Sequence, residues 1–369
     1  MSEKSSSENS EQQTPRLDPR LSKLESTDPL GSIFPKTKKN KIAAVVFVSI
    51  ISLFFMSIAV WINWPKSRPE AEPLAPAVKE RLSRLPGGTN VLIYLGMKDI
   101  RHSDFWQKII PDSIKSARLF ADTSALGRFS TATGFDFLND ADTMIYAAQS
   151  NAARSDKFIS IITGDFQSDS VSAYLEKTSE NARLYDSLLI YRTDPRLWVS
   201  LTSPNELVLA SSADMIEHYL STEKNFFEAD TLLTSLLERT EYKSHLWMAL
   251  GQAGWATGAM MGLTAANKEL KSMGNLRRIK QLVLAMKFGD GIKMQTEWVY
   301  DSRSSAFFAS GLLWLALRVS GSEGTRLKES EKAFLNQIEM QQNLESIILR
   351  GNFSNDMIEQ FRKSEFEEF

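Results

Sequence analysis

The run Ile42–Ile62, IAAVVFVSIISLFFMSIAVWI, is interrupted only by three serines and carries no charge. As a helix it rises roughly 30 Å, the thickness of a bilayer hydrocarbon core. A signal peptide has a shorter apolar region, a short basic start and a small-residue cleavage site. Here about forty residues precede the run, and the bulky Trp61-Ile62-Asn63-Trp64 closes it. A buried soluble helix is seldom apolar on every face for this length. The run therefore predicts one transmembrane helix, over residues 41–64 with its flanks.

The flanks predict an orientation. Lys36, Lys38, Lys39 and Lys41 precede the helix, against Lys66 and Arg68 just after it. Lys and Arg favour the cytoplasmic side, so the N-terminus is expected inside and the C-terminal part extracytoplasmic, periplasmic if the cell is Gram-negative. Trp61 and Trp64 suit an interface, and Pro65 lacks the donor needed to continue the helix.

Around this anchor the chain divides into further parts. Residues 1–40 are polar and rich in Ser, Glu, Gln and Pro, too poor in apolar surface to offset the entropy of ordering, and read as a disordered cytoplasmic tail. Residues 65–88 hold Pro65, Pro69, Pro73, Pro76 and Pro86 and read as a stiff spacer, interrupted by a short helix about Val78–Leu85. Residues 89–240 and 241–369 read as two α+β halves.

In the first half, Val91–Leu95 is a buried strand, and helices follow at Asp104–Ile110 and Asp112–Ala121. Met144–Gln149 and Phe158–Thr163 are strands, and Ser170–Lys177 is a helix. Leu188–Tyr191, Leu197–Leu201 and Glu206–Ala210 form a meander, joined at Asp194-Pro195 and Ser203-Pro204-Asn205. Helices near Asp214–Leu220 and Asp230–Arg239 close this half.

The second half opens with a strand at His245–Leu250 and a Gly-rich helical stretch to about Met273. Gln281–Phe288 and Ile292–Tyr300 flank Gly289-Asp290-Gly291, a hairpin signal. An apolar helix is expected at Ser304–Val319 and a charged one at Thr325–Gln342. A strand at Ser346–Leu349 and a helix at Ser354–Lys363 follow.

The two halves echo one another. Ile161-Ile162-Thr163-Gly164-Asp165-Phe166 is matched by Ile348-Leu349-Arg350-Gly351-Asn352-Phe353. Asp169, Val171 and Tyr174 then match Asp356, Ile358 and Phe361. Each is a strand, a Gly turn, a Phe able to plug a core, and a helix opened by a small polar residue. The expected fold is α+β, with two similar halves of antiparallel sheet covered by helices. With its N-terminal anchor and these corners, the chain resembles uncharacterised bacterial single-pass envelope proteins. Over most of residues 87–369 the resemblance implies an extracytoplasmic domain; it supplies no activity.

No residue pattern announces chemistry. The formal net charge is −2, without the basic stripe that nucleic-acid binding favours. There is no cysteine, hence no disulfide, thiolate metal site or cysteine nucleophile. His102, His218 and His245 are far apart and show neither HExxH nor HxH spacing, so local structural roles are preferred over a site. No GxSxG elbow occurs. Asp136, Asp140 and Asp142 have carboxylates at calcium-like spacing but lack the EF-hand glycine and closing Glu; turn and cap roles are preferred. Gly251, Gly254, Gly258 and Gly262 follow a strand without a Walker Lys-Ser/Thr, so a helix packed tightly on the sheet or a mobile loop is preferred over a phosphate cradle or a membrane-surface contact. Ala306–Leu317 is too short to cross a bilayer and reads as a buried core helix, with an exposed lipid- or partner-binding face as the lesser reading.

No catalytic, cofactor or metal residue is therefore assigned, and no cofactor is expected. The expected function is that of a non-enzymatic binding or scaffolding domain of the cell envelope, anchored through residues 42–62, with an envelope protein or lipid as partner and no nucleic acid. The alternatives are a tethered enzyme whose site is dispersed in sequence, and a carrier of a lipid or other hydrophobic ligand with a pocket beside the 304–319 helix.

Overall fold

The computed structural model describes residues 38–149, 157–221, 224–252, 279–322 and 327–366. The chain divides into two units between Trp61 and Ile62. In the first, helix α1 (Lys38–Asn63, its last two residues belonging to the second unit) contains one stretch long and apolar enough to cross a membrane, Val45–Asn63, 19 residues with a mean hydropathy of 2.6.

The second unit is a mixed helix and sheet fold. Its strands are β1 (Val91–Leu95), β2 (Ala141–Gln149), β3 (Lys157–Gly164), β4 (Asn181–Tyr185), β5 (Leu188–Asp194), β6 (Leu197–Ser203), β7 (Glu206–Ala210), β8 (Leu246–Leu250), β9 (Ile279–Phe288), β10 (Gly291–Tyr300), β11 (Ile338–Asn343) and β12 (Ser346–Ser354). They form one 12-stranded sheet in the order β11-β12-β10-β9-β8-β1-β2-β3-β7-β6-β5-β4, antiparallel throughout. Strands from both sides of residue 240 thus share a sheet, a point the sequence leaves open.

Side chains alternate between the two faces of a strand, and the register aligns them into rows. On one face Leu92 stands opposite Ala147 and Ala249, and Tyr94 opposite Ile145 and Trp247. This face carries the largest buried cluster, covered by α2 (Pro76–Ser83), α8 (Ala213–Leu220), α9 (Phe226–Ala229) and α10 (Thr231–Arg239) through Leu82, Ile216, Tyr219, Phe226, Leu233 and Leu236. Trp247, fully buried, stacks on Tyr94 with ring centroids 5.4 Å apart. On the opposite face the row runs Leu284, Met248, Ile93, Tyr146, Ser160, Leu209 and Val199 from β9 to β6.

Helices cover the two ends of that second face. At one end stand α3 (Met97–His102), α4 (Asp104–Lys108), α5 (Asp112–Lys115), α6 (Ala125–Thr133) and α7 (Ser168–Thr178), with a cluster that includes Phe129, Phe135, Phe137 and Phe166. At the other stands α11 (Arg303–Ser320), followed in sequence by α12 (Glu329–Asn336) and α13 (Asn355–Phe366), with a cluster of Leu250, Tyr300, Ala306, Ala309 and Ile347. Gly164 ends β3 ahead of Phe166, but the second expected Gly turn is strand, with Gly351 and Phe353 paired to β10 inside β12; both Phe side chains enter these layers. Phe166 stacks on Phe135 at 4.3 Å, and Phe353 on Phe334 at 4.0 Å.

Several expectations need correction. The Pro-rich segment read as a spacer is docked on the sheet. Lys66 and Asn343 exchange two hydrogen bonds of 3.1 and 3.0 Å, Gln341 donates to the Ser67 carbonyl, and the Glu72 amide donates to the Glu241 carbonyl. Val78, Leu82 and Leu85 then enter the core. The helix expected at Thr325–Gln342 stops at Asn336. Ile338 and Met340 alternate with polar residues and pack inward, so pairing with β12 overrides the helical reading. The helix expected at Asp112–Ala121 is a single turn, Asp112–Lys115. Strand β4 and helices α3 and α6 were not foreseen. The Gly-rich stretch to Met273 lies outside the described residues.

Helix α11 departs most from expectation. It is not a buried core helix. Ser305, Ala306, Ala309 and Ser310 face the sheet, while Phe308, Leu312, Trp314, Leu315 and Val319 are exposed.

Candidate functional site

The second sheet face forms an apolar cleft beside the α6 layer. Ile93 and Leu95 of β1, Met144 and Tyr146 of β2, and Phe158, Ser160 and Ile162 of β3 form its floor. Phe120, Leu126, Leu197 and Leu209 complete a cavity of about 310 Å³. Leu126, Leu197 and Leu209 also line a second cavity of about 380 Å³, between α6, α7 and the β6–β7 strands, with Phe129, Tyr174 and Leu175.

Local sequence builds the cleft wall. The Ser124 Oγ accepts from the Gly127 amide at 3.0 Å, capping α6 at its start. Gly134 ends the helix in the left-handed conformation, at φ 76°, where a side chain is strained. Gly127 allows the helix to touch the preceding loop: a Cβ there would stand 2.0 Å from the Ala121 carbonyl oxygen. That loop carries Phe120, whose ring meets Phe137 edge-on at 4.9 Å.

The lining decides what the cleft can do. Tyr146 is the sole titratable residue around the 310 Å³ cavity, and Ser160 adds the only other hydroxyl. Around the second cavity the charged side chain is Arg128. Nucleophilic chemistry needs a base beside the nucleophile, and this lining supplies none to Ser160. An apolar recess of this size suits an apolar ligand, at the small end of the ligand-pocket range.

A third cavity, about 430 Å³, lies beside α11. Its apolar members Trp314, Leu317, Ile338 and Met340 are mixed with Arg318, Asn336 and Glu339. It is larger, but its walls are partly charged, so the cleft on β1–β3 is the better apolar site. Sequence reasoning looked for a ligand pocket beside the 304–319 helix and missed the one at the α6 layer. The readable signals were Ser124 and Gly134, the start and stop marks of α6.

The structure keeps the three histidines in separate local settings. His102 is exposed on α3, its Nδ1 2.6 Å from the Lys98 carbonyl. The His218 Nε2 on α8 is buried without a hydrogen-bond partner. His245 precedes β8; its Nδ1 accepts from the Phe288 amide at 2.9 Å, and its ring stacks on Phe288. Burial pushes the His245 imidazole below its usual range, with Lys287 adding to that and Asp99 and Glu72 opposing it.

The Asp136–Asp142 loop is a self-bonded turn. The Asp136 Oδ1 accepts from the Leu138 amide at 2.8 Å, the Asp140 Oδ2 accepts from the Asp136 amide at 2.8 Å, and Asp142 lies 3.9 Å from Lys98. Among the described residues no group of three or more His, Asp or Glu side chains is placed to hold a metal ion. Gly251 donates its amide to the Asn90 carbonyl; Gly254, Gly258 and Gly262 lie outside the described residues.

Charges collect instead where residues 66–72 cross the outer strands. Glu297 on β10 is fully buried, bonded twice by Arg68 at 2.6 and 3.0 Å, with Arg239 3.6 Å away. Glu241 accepts from Arg350 at 2.7 Å. Burial pushes the Glu72 carboxyl up, but Lys287, the Lys243 amide and Ser244 outweigh it and hold the group below the usual carboxylate range. Each of these three carboxylates has a matched cation, and the pairs fasten the segment.

No family model matches this chain, and no curated protein matches it. The solved structure titled "Structure of crystal form I of TP0453" aligns at 10% identity over 82% of this chain and 99% of that one, with a TM-score of 0.37, and nothing is carried over from it.

Proposed function

We propose that this chain is a membrane-anchored binding protein of the cell envelope, not an enzyme, and that its α+β domain holds an apolar ligand in the cleft on β1–β3. A lipid acyl chain has the matching chemistry. The observation that carries this reading is the lining of the 310 Å³ cavity, apolar but for Ser160 and the Tyr146 hydroxyl.

The test uses the full chain in lipid nanodiscs with a photoactivatable, diazirine-bearing fatty acid. Crosslinked peptides are identified by mass spectrometry. Crosslinks to Met144, Tyr146 or Phe158 support the reading, provided Ser160→Trp, which fills the cleft, removes them. Crosslinks confined to residues 42–62 overturn it.

The same proposal takes α1 as the anchor, with the N-terminus cytoplasmic and the domain extracytoplasmic. Supporting it, Phe47, Phe54, Phe55 and Met56 on this helix are each more than 60% exposed, the reverse of a soluble core helix. Four lysines precede the run. Protease treatment of spheroplasts tests the orientation: a shielded domain overturns it.

We also propose that the domain arose by duplication. Moving outward from the central β1/β8 pair, one side runs β1-β2-β3-β7-β6 and the other β8-β9-β10-β12-β11. This matches β3 with β10 and β7 with β12. The sequence echo instead aligns β3 with β12, strands at different distances from the centre, so the topology is the better support.

A further inference from the structure

The exposed face of α11 is apolar and lies outside the cleft. Phe308, Leu312, Leu315 and Val319 recur at spacings of four, three and four, which places them on one side of the helix. They are 62%, 40%, 53% and 55% exposed, and Trp314 beside them is 52% exposed. The small residues Ala306, Ala309 and Ser310 face the sheet. A core helix has the opposite arrangement, and such a stripe of large apolar groups marks a contact with something else.

Three observations point to a bilayer surface as the occupant. The first is place. The Arg303 Nη1, in the first turn of α11, donates to the Asn63 Oδ1 at 2.7 Å. Asn63 directly follows Ile62, where the apolar run ends. If that run spans a membrane, Asn63 lies at the headgroup level and ties the start of α11 to the same level. The second is charge. Arg303 and Arg318 are the only ionisable residues among the 18 of α11, and both are basic. The acidic groups near them, Glu345 3.9 Å from Arg303 and Glu339 across the cavity by Arg318, belong to other elements. The third is residue type. Trp314 lies 5.8 Å beneath the Arg318 guanidinium, an aromatic and a cation suited to headgroups. At about 27 Å, with one face against the sheet, the helix lies along a surface rather than crossing it.

We infer that α11 docks its Phe308–Val319 face into the acyl–headgroup boundary of the membrane that α1 enters. This rests on the anchor reading of α1.

The chain has no cysteine, so single-cysteine spin labels report without interference. Leu312→Cys and Leu315→Cys are labelled in the full chain in nanodiscs of mixed neutral and anionic lipid. Phe54→Cys reports the span, and Leu184→Cys, at an exposed site on β4, reports a surface away from lipid. Collision rates with oxygen and with a water-soluble nickel chelate are compared. The expected result is lipid-like exposure at 54, 312 and 315, and water-like exposure at 184. Water-like signals at 312 and 315 with a lipid-like 54 overturn the docking inference and leave the anchor standing. A water-like 54 overturns the anchor, and the inference with it. Shielding from both reagents at 312 and 315 overturns the docking; added dipolar broadening would then identify a second copy as the occupant.

Discussion

Arg68 grips Glu297 through two hydrogen bonds, 2.6 and 3.0 Å long, across 229 positions of sequence. The carboxylate is fully buried, and without Arg68 it keeps only the longer ion pair with Arg239, at 3.6 Å. Arg68→Ala leaves a buried charge poorly compensated and is expected to cost about 3 kcal/mol. Urea unfolding of the detergent-solubilised full chain measures it. In Arg68→Ala/Glu297→Met the buried carboxylate is gone as well, leaving only the part-exposed Arg239, and most of the lost stability should return. A double variant as weak as the single one would show that the pairing is not the cause.

The two Gly-x-Phe phenylalanines predict a second effect. Phe166 and Phe353 are 5% and 3% exposed and stack on aromatic rings from other elements. Phe166→Ala and Phe353→Ala should each destabilise the domain by about 3–5 kcal/mol, through lost burial and a cavity. Thermal unfolding read by tryptophan fluorescence checks both.

His245 predicts a pH dependence. Its folded pKa is lowered, so the unfolded chain takes up the proton first as pH falls. The stability it contributes is complete above the unfolded value of about 6.5 and is lost as pH falls through the lowered folded value. Protonation also turns the acceptor of the Phe288 amide into a donor. Unfolding midpoints measured from pH 8 to about 5 should fall, and the fall should shrink in His245→Gln. An unchanged fall in that variant assigns it to other groups.

Gly311 predicts a gain. It lies exposed inside α11, and a Cβ there would meet nothing within 4 Å. Gly311→Ala should raise stability by about 0.5–1 kcal/mol through helix propensity alone. The midpoint of thermal unfolding reads it directly.

Local patterns were legible in the sequence wherever a residue's role is settled by its neighbours. The apolar run of β1, the Gly289–Gly291 hairpin and the helix near Asp230–Arg239 all appear where their spacing places them. Strand β4 escaped because four of its five residues are exposed at the sheet edge, leaving no apolar alternation to read. β11 escaped because Glu339, Gln341 and Gln342 imitate a charged helix, and only pairing with β12 makes them a strand. The Ala306–Leu317 block was legible as a helix, but composition cannot say which side of an all-apolar helix is left uncovered. The cleft was hidden for another reason. Its lining runs from Ile93 to Leu209, drawn from β1, β2, β3, β6, β7 and α6, and no local window contains it.

The seat of residues 66–72 also sets an order of events during synthesis. Lys66 leaves the ribosome before any strand exists, yet its partner Asn343 lies 277 positions later. The segment next to the apolar helix is therefore held in stages, Glu72 by Glu241 and Lys287, Arg68 by Glu297, and Lys66 last of all. A nascent chain stalled before β11 would leave Lys66 without Asn343, although Glu297 of β10, the acceptor of Arg68, would already have been made. Synthesis of β11 thus adds the last hold on residues 66–72.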